Sequence, residues 1–147
     1  MKEILAATDG SESSRYAVGQ AIELARSSGA SLTVAYVRHT PLPILGQPFY
    51  QRSLSAELRL ANETVELAAA SAQEAGVEAE TEILEGDPAD RILELASLRD
   101  VDLIVVGSRG LGPIAGTLLG SVSREVLHRA DRPVLVAARR VERRRAA

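Results

Sequence analysis

Five strand-like runs alternate with four helix-like runs along this chain, and that alternation restricts the fold more than any other property. Strands separated by helices pair in parallel, with the helices covering both faces of the sheet. The strand-like runs are Glu3 to Thr8, Ser31 to Val37, Val77 to Leu84, Val101 to Val106 and Pro133 to Ala138. The first helix is expected over Ser11 to Ser27, with Ala17, Val18, Ala21, Ile22 and Ala25 on one apolar face. The second is expected over Ser53 to Ala75, where Leu54, Leu58, Ala61, Val65, Ala68 and Ala72 recur at helical spacing. Asp87-Pro88 reads as an N-cap followed by proline in the first turn, opening a helix that buries Ala89, Ile92, Leu93 and Ala96. Val122 to Ala130 is the fourth.

Charge sets the strand order. The third run alternates Val77, Ala79, Thr81 and Ile83 with Glu78, Glu80 and Glu82, so one of its faces meets water. Interior parallel strands are apolar on both faces, whereas charge suits an edge. The order 3-2-1-4-5 satisfies this, and 2-1-3-4-5 does not. The topological switch point then falls between strands one and four, where open sheets bind ligands beyond the carboxyl ends of their strands. Asp9 comes directly after strand one and Gly107 directly after strand four.

The second of those ends carries the most informative local pattern. Leu103-Ile104-Val105-Val106 runs into Gly107-Ser108-Arg109-Gly110, and after nine intervening residues Gly120-Ser121 opens a helix. Two readings are open: a glycine-rich surface loop, or a phosphate cradle built from bare N–H groups and a helix N-terminus. Asp9 can support the first helix through an Asx-type turn, or bond the base or ribose of a nucleotide. Ser11 reads as an N-cap, and Ser121 and Ser123 stand where they could cap the last helix or meet a terminal phosphate. Arg109 could screen phosphate charge or be solvated.

Other chemistries lack their residues. The only lysine is Lys2, so neither a P-loop nor protein-kinase chemistry is available. Gly110-Leu111-Gly112-Pro113-Ile114-Ala115 matches a dinucleotide fingerprint in spelling only, because it follows no first strand and Pro113 lacks an N–H. There is no cysteine, and His39 and His128 have no metal-like neighbours, so no protein metal site is expected. No G-x-S-x-G elbow is present. A length of 147 residues fits one domain, and the net charge of −3 argues against nucleic acid as the partner. With no signal pattern and no apolar run long enough for a membrane, the expected location is the cytoplasm.

Three segments add expectations about partners. Arg38 to Gln51 carries Pro41, Pro43 and Pro48, and reads as stiffened filler or a ligand lid. The segment 139–147 is basic, with Arg139, Arg140, Arg143, Arg144 and Arg145, and reads as a frayed, solvated tail after a domain of residues 1–138. Strand five, Pro133-Val134-Leu135-Val136-Ala137, is an uncharged edge that invites a homodimer, unless the arginines shield it.

With those residues in view, the chain resembles the universal stress protein family, in its ATP-binding branch. The resemblance runs from Ile4-Leu5-Ala6-Ala7-Thr8-Asp9-Gly10-Ser11 to Pro133-Val134-Leu135-Val136. The family signature, Gly-x2-Gly-x9-Gly-Ser/Thr, is met by Gly107, Gly110, Gly120 and Ser121. It implies a Rossmann-like fold of the adenine nucleotide alpha-hydrolase kind, with dimerisation through the last strand. It also implies that Thr8 and Asp9 meet the nucleoside, that the Val37 backbone reads the adenine edge, and that Val106 lines the pocket. Gly107, Arg109 and Gly110, with Gly120, Ser121, Val122 and Ser123, would then hold ribose and phosphates. The expected ligand is ATP, with Mg2+ carried by its phosphates, or else AMP or ADP. The resulting reading is a nucleotide-responsive stress or signalling module with an unknown protein partner. A slow ATPase or autophosphorylating protein is the first alternative, and a nucleotide-independent interaction module the second.

Overall fold

The computed structural model describes residues 1–38, 47–109 and 119–139. Its elements are β1 (Glu3–Thr8), α1 (Glu12–Ser28), β2 (Ser31–Arg38), α2 (Gln47–Glu74) and β3 (Ala79–Glu85), then α3 (Pro88–Leu98), β4 (Leu103–Gly107), α4 (Ser121–Arg129) and β5 (Val134–Ala137). They form one five-stranded parallel sheet in the order β3-β2-β1-β4-β5. The order expected from the glutamates of the third strand is the observed one.

Each face of the sheet carries its own core. On one, α1 lays Ala17, Val18, Ala21, Ile22 and Ala25 over Ile4, Ala6, Leu32, Val34 and Val105, and α2 adds Ala72. On the other, Ala89, Ile92, Leu95 and Ala96 of α3 and Val126 of α4 cover Leu5, Ala7, Val37, Ile104 and Val106. Ile4, Leu5 and Ile104 are wholly buried, and each contributes roughly 1.5–3 kcal/mol by leaving water. In α3 the buried leucine is Leu95, not Leu93 as expected, because the helix turns Leu93 to the half-covered flank.

Three helices end by one device, and it explains two strand starts that differ from expectation. After α1, Gly29 is left-handed (φ 73°) and the Ala30 N–H bonds to the Ala25 carbonyl at 3.2 Å. After α2, Gly76 (φ 74°) lets the Val77 N–H reach Ala72 at 2.9 Å. After α3, Asp100 takes φ 49° and the Val101 N–H reaches Ala96 at 3.1 Å. In each case the following apolar residue is buried and closes the helix end. Val77 and Val101 therefore belong to helix termini, and β3 and β4 begin two residues later than the apolar runs suggest.

The second helix begins earlier than expected, at Gln47 rather than Ser53. Pro48 stands in its first turn, where a missing N–H costs nothing. Of the expected connection Arg38 to Gln51, residues 39–46 lie outside the described residues, as do 110–118 and 140–147. Among the described residues no helix is long and apolar enough to cross a membrane.

Asp100 is the one described residue other than glycine with positive φ, and its side chain is fully exposed, 3.7 Å from Arg132. Asp100→Gly should raise stability by about 0.5–1 kcal/mol through relief of left-handed strain. Urea unfolding measures it. A loss of stability would show that the Arg132 pairing outweighs the strain.

Candidate functional site

The sheet opens at the predicted switch point. The β1–β4 ladder ends at Ala6↔Val105, although β1 pairs with β2 as far as Thr8↔Tyr36 and β4 with β5 as far as Gly107↔Ala137. The carboxyl ends of the two central strands thus part while each stays anchored to its outer neighbour. A crevice remains between Thr8 and Gly107.

Its β1 side is held by hydroxyl groups. Asp9 Oδ1 accepts the Ser11 N–H at 2.9 Å, which realises the Asx-turn role. Ser11 is the N-cap of α1, and its side chain accepts the Ser14 N–H at 3.2 Å. The buried Thr8 hydroxyl lies 2.9 Å from Ser14 Oγ and accepts the Gly10 N–H at 3.1 Å. Gly10 is left-handed (φ 81°), and a Cβ there would stand 3.3 Å from Thr64 Oγ1, so α2 closes over the turn. The phenol of Tyr36, paired with Thr8 in the sheet, is raised above its usual pKa by burial and then by the charges of Asp9 and Glu57.

The β4 side is held by α1. A Cβ on Gly107 would lie 2.8 Å from the Ser13 carbonyl carbon and Oγ and 2.9 Å from its carbonyl oxygen. Gly107 is therefore required by packing against α1, a reason that glycine spacing alone, with its glycines given to a ligand, does not contain. Ser13 Oγ accepts the Arg109 N–H at 3.1 Å and lies 3.4 Å from Ser108 Oγ. Ser108 bonds in three directions. Its N–H reaches the Ala137 carbonyl at 3.1 Å, and its carbonyl accepts the Gly120 N–H at 2.7 Å and, at 3.4 Å, the Ser123 hydroxyl.

That bond from Gly120 brings the two ends of the glycine loop together, and Gly110 between them lies outside the described residues. Gly120 is the N-cap of α4, and no side chain caps that helix. Ser121 is its first residue, while Ser123 is buried and turns its hydroxyl back to the Gly120 carbonyl at 3.0 Å. Neither serine acts as a cap, and among the described residues no side chain caps the N-terminal N–H groups of α4. Val37 and Val106 are buried in the α3–α4 core, with Val122 packed against it. Val37 lies one residue beyond the last β1–β2 pair.

The structure therefore gathers Thr8, Asp9, Val106, Gly107, the Arg109 backbone, Gly120, Ser121 and Ser123 around the open carboxyl ends of the sheet. It adds Ser13, Ser14, Tyr36, Thr64 and Ser108, which no sequence pattern singled out. The run Ser11-Glu12-Ser13-Ser14 was the available signal, since hydroxyls crowding a helix start bond more than one neighbour.

Residues 1–138 match the family described as "Universal stress protein family". This chain belongs to the universal stress protein family. A universal stress protein of Thermus aquaticus is 38% identical over 136 residues, covering 92% of this chain and 97% of its own. A solved universal stress protein in complex with cAMP is 36% identical, covers 93% of this chain and 96% of its own, and superposes with a TM-score of 0.64. One from Archaeoglobus fulgidus in complex with dAMP is 25% identical, covers 92% and 96%, and gives a TM-score of 0.65.

Within this universal stress protein fold, the contact of Gly107 with Ser13 is tested by Gly107→Ala. The added methyl has no room, so α1 must shift, and a loss of about 1–3 kcal/mol in urea unfolding is expected. An unchanged midpoint would mean that α1 does not hold the β4 end.

Proposed function

We propose that the crevice binds an adenine nucleotide and that the chain serves as a nucleotide-responsive stress or signalling module. The observation that carries this is the N-terminus of α4, which has no side-chain cap among the described residues and is joined by Gly120 and Ser108 to the open end of β4. Unpaired N–H groups with a helix dipole behind them suit a phosphate. The two ligand-bound relatives support the choice of base: cAMP and dAMP differ in sugar and in phosphate linkage, and share adenine with a 5′-linked phosphate.

In this reading Asp9 and Thr8 meet the nucleoside, the Val37 backbone faces the adenine edge, and Val106 lines the pocket. Gly110, Gly120, Ser121, Val122 and Ser123 receive the phosphates. Gly107 admits the ligand and α1 alike. ATP is the proposed ligand, its Mg2+ carried by phosphates and water, since no described group of three or more His, Asp or Glu side chains could hold a metal. Occupancy would order the loop, and that change would be passed to a protein partner.

The test is thermal unfolding of nucleotide-stripped protein with ATP, AMP, cAMP or GTP. A ligand at a hundred times its dissociation constant stabilises by about 2.7 kcal/mol, a rise of about 5–10 °C for a domain of this size. Adenine nucleotides should give it and GTP should give less, while Gly110→Val should abolish it. No shift with any nucleotide would sink the reading.

The same module is proposed to work as a homodimer through β5. Leu135, in the middle of that edge strand, is 37% exposed although its neighbours Val134 and Val136 pack inward. Leu135→Arg should convert a dimeric light-scattering mass to a monomeric one without lowering the melting temperature of the monomer. A wild-type chain that is already monomeric at micromolar concentration would refute the dimer.

A further inference from the structure

The charged side chains of α2 are arranged unlike those of the other helices. α1, α3 and α4 each hold an ion pair within the helix, Glu23–Arg26, Arg91–Glu94 and Glu125–Arg129. Arg52, Arg59, Glu63 and Glu66 of α2 are exposed, and none of them forms an ion pair among the described residues. Arg59 and Glu63 even have the one-turn spacing that would allow one.

Two leucines stand beside these charges. Leu60 is 51% exposed and Leu67 69%, although another side of the same helix buries Ala61, Val65 and Ala72. Leu60 and Leu67 lie two turns apart, within about 20° of one another around the helix axis. Arg52, Arg59 and Glu66 repeat at the same interval and so line one flank of this apolar stripe. The flank is basic towards the start of the helix and acidic towards its end. Glu66 also lines an open groove of about 420 Å³ between α2 and the start of β3, and Glu78 lines it too.

We propose that this face of α2 is a self-association surface, on which a second copy of the chain lies antiparallel about a two-fold axis midway between Leu60 and Leu67. A flank that runs from basic to acidic complements itself when reversed. The axis sets Leu60 against Leu67 of the second copy. Arg59 then comes within about 3 Å, along the helix, of the level of Glu66 of the second copy, with the groove there to take the guanidinium. Glu63 falls near the axis and meets its own copy, with Arg59 one turn away on the same helix. The axis makes each Arg–Glu contact and each Leu–Leu contact occur twice. Heptad spacing with complementary flanking charges is how paired helices set partner and direction.

α2 covers β2 and β3, and β5 is the opposite edge of the sheet. The α2 contact therefore neither needs nor blocks pairing through β5, and it is independent of nucleotide. A chain using both surfaces would build a closed tetramer where the two axes meet at right angles, and an open filament where they do not. The stripe is short, so a dissociation constant of about 0.1–1 mM is expected, above the micromolar range proposed for β5.

The experiment is sedimentation equilibrium of the full chain carrying Leu135→Arg, which closes the β5 route, from about 20 µM to about 1 mM. The mass should rise from monomer towards dimer across that range. Arg59→Glu and Glu66→Arg, each added alone, should weaken this association about tenfold, since each turns two attractive contacts into two repulsive ones. An equimolar mixture of the two variants should regain the parent's association, because one chain then carries two glutamates where the other carries two arginines. Leu60→Ser with Leu67→Ser should abolish it. All four positions are exposed, so the melting temperatures should stay at the parent's. A monomeric mass at the highest concentration would overturn the proposal. So would association that ignores both charge reversals, or a mixture that associates no better than its components.

Discussion

The approach of α1 to the end of β4, at Gly107 and Ser13, is the constraint on which the crevice depends. Parallel strands of equal length would pair to their ends and leave no opening. Here the β1–β4 ladder stops at Ala6↔Val105, and the start of α1 packs against the β4 end beyond it. Only a residue without a side chain tolerates Ser13 atoms within 3 Å of where a Cβ would stand. The contact also positions the next two residues of the chain, because the Ser13 hydroxyl receives the Arg109 N–H and approaches the Ser108 hydroxyl. The residues that follow β4 are therefore positioned by a helix distant in sequence.

How legible this was depended on whether an element's cause is local. The glutamates at 78, 80 and 82 placed β3 at an edge from sequence alone, because charge on one face of a strand has few other solutions. The structure gives them a counter-charge: Arg99, after α3, bonds Glu82 at 2.8 Å and Glu80 at 2.7 Å, and its guanidinium is held more firmly protonated by both. Val77 and Val101 misled for an equally physical reason. An apolar residue after a helix can begin a strand or close the helix with a backward bond, and the deciding variable is a left-handed residue before it. Gly76 announces that conformation, whereas Asp100 does not.

The site was legible in its ends and not in its middle. Asp9 and Gly107 emerged from strand order and glycine placement, two arguments that converge on one crevice. Ser13, Ser14 and Ser108 did not, because a serine bonds whatever tertiary structure brings near it and no spacing rule names the partner. Glycine placement read Gly107 as a ligand contact, and the structure adds a packing reason: its missing side chain serves α1 whether or not a ligand arrives.

The helix starts give the strongest internal contrast. Ser11 caps α1 through the Ser14 N–H at 3.2 Å, and Asp87 caps α3 through the Asp90 N–H at 3.1 Å. The sequence thus places a side-chain acceptor at each of these starts, and each such cap contributes about 1 kcal/mol. α4 begins at Gly120 with none, although Ser121 and Ser123 stand beside it and Ser123 turns its hydroxyl to carbonyls instead. A capping side chain there would occupy the N–H groups that an anion needs. Forgoing it leaves the helix start less stable alone and ready for an external acceptor. α4 starts beside the open carboxyl ends of β1 and β4, as the capped α1 does, and the missing side-chain cap is what separates the two helix starts there.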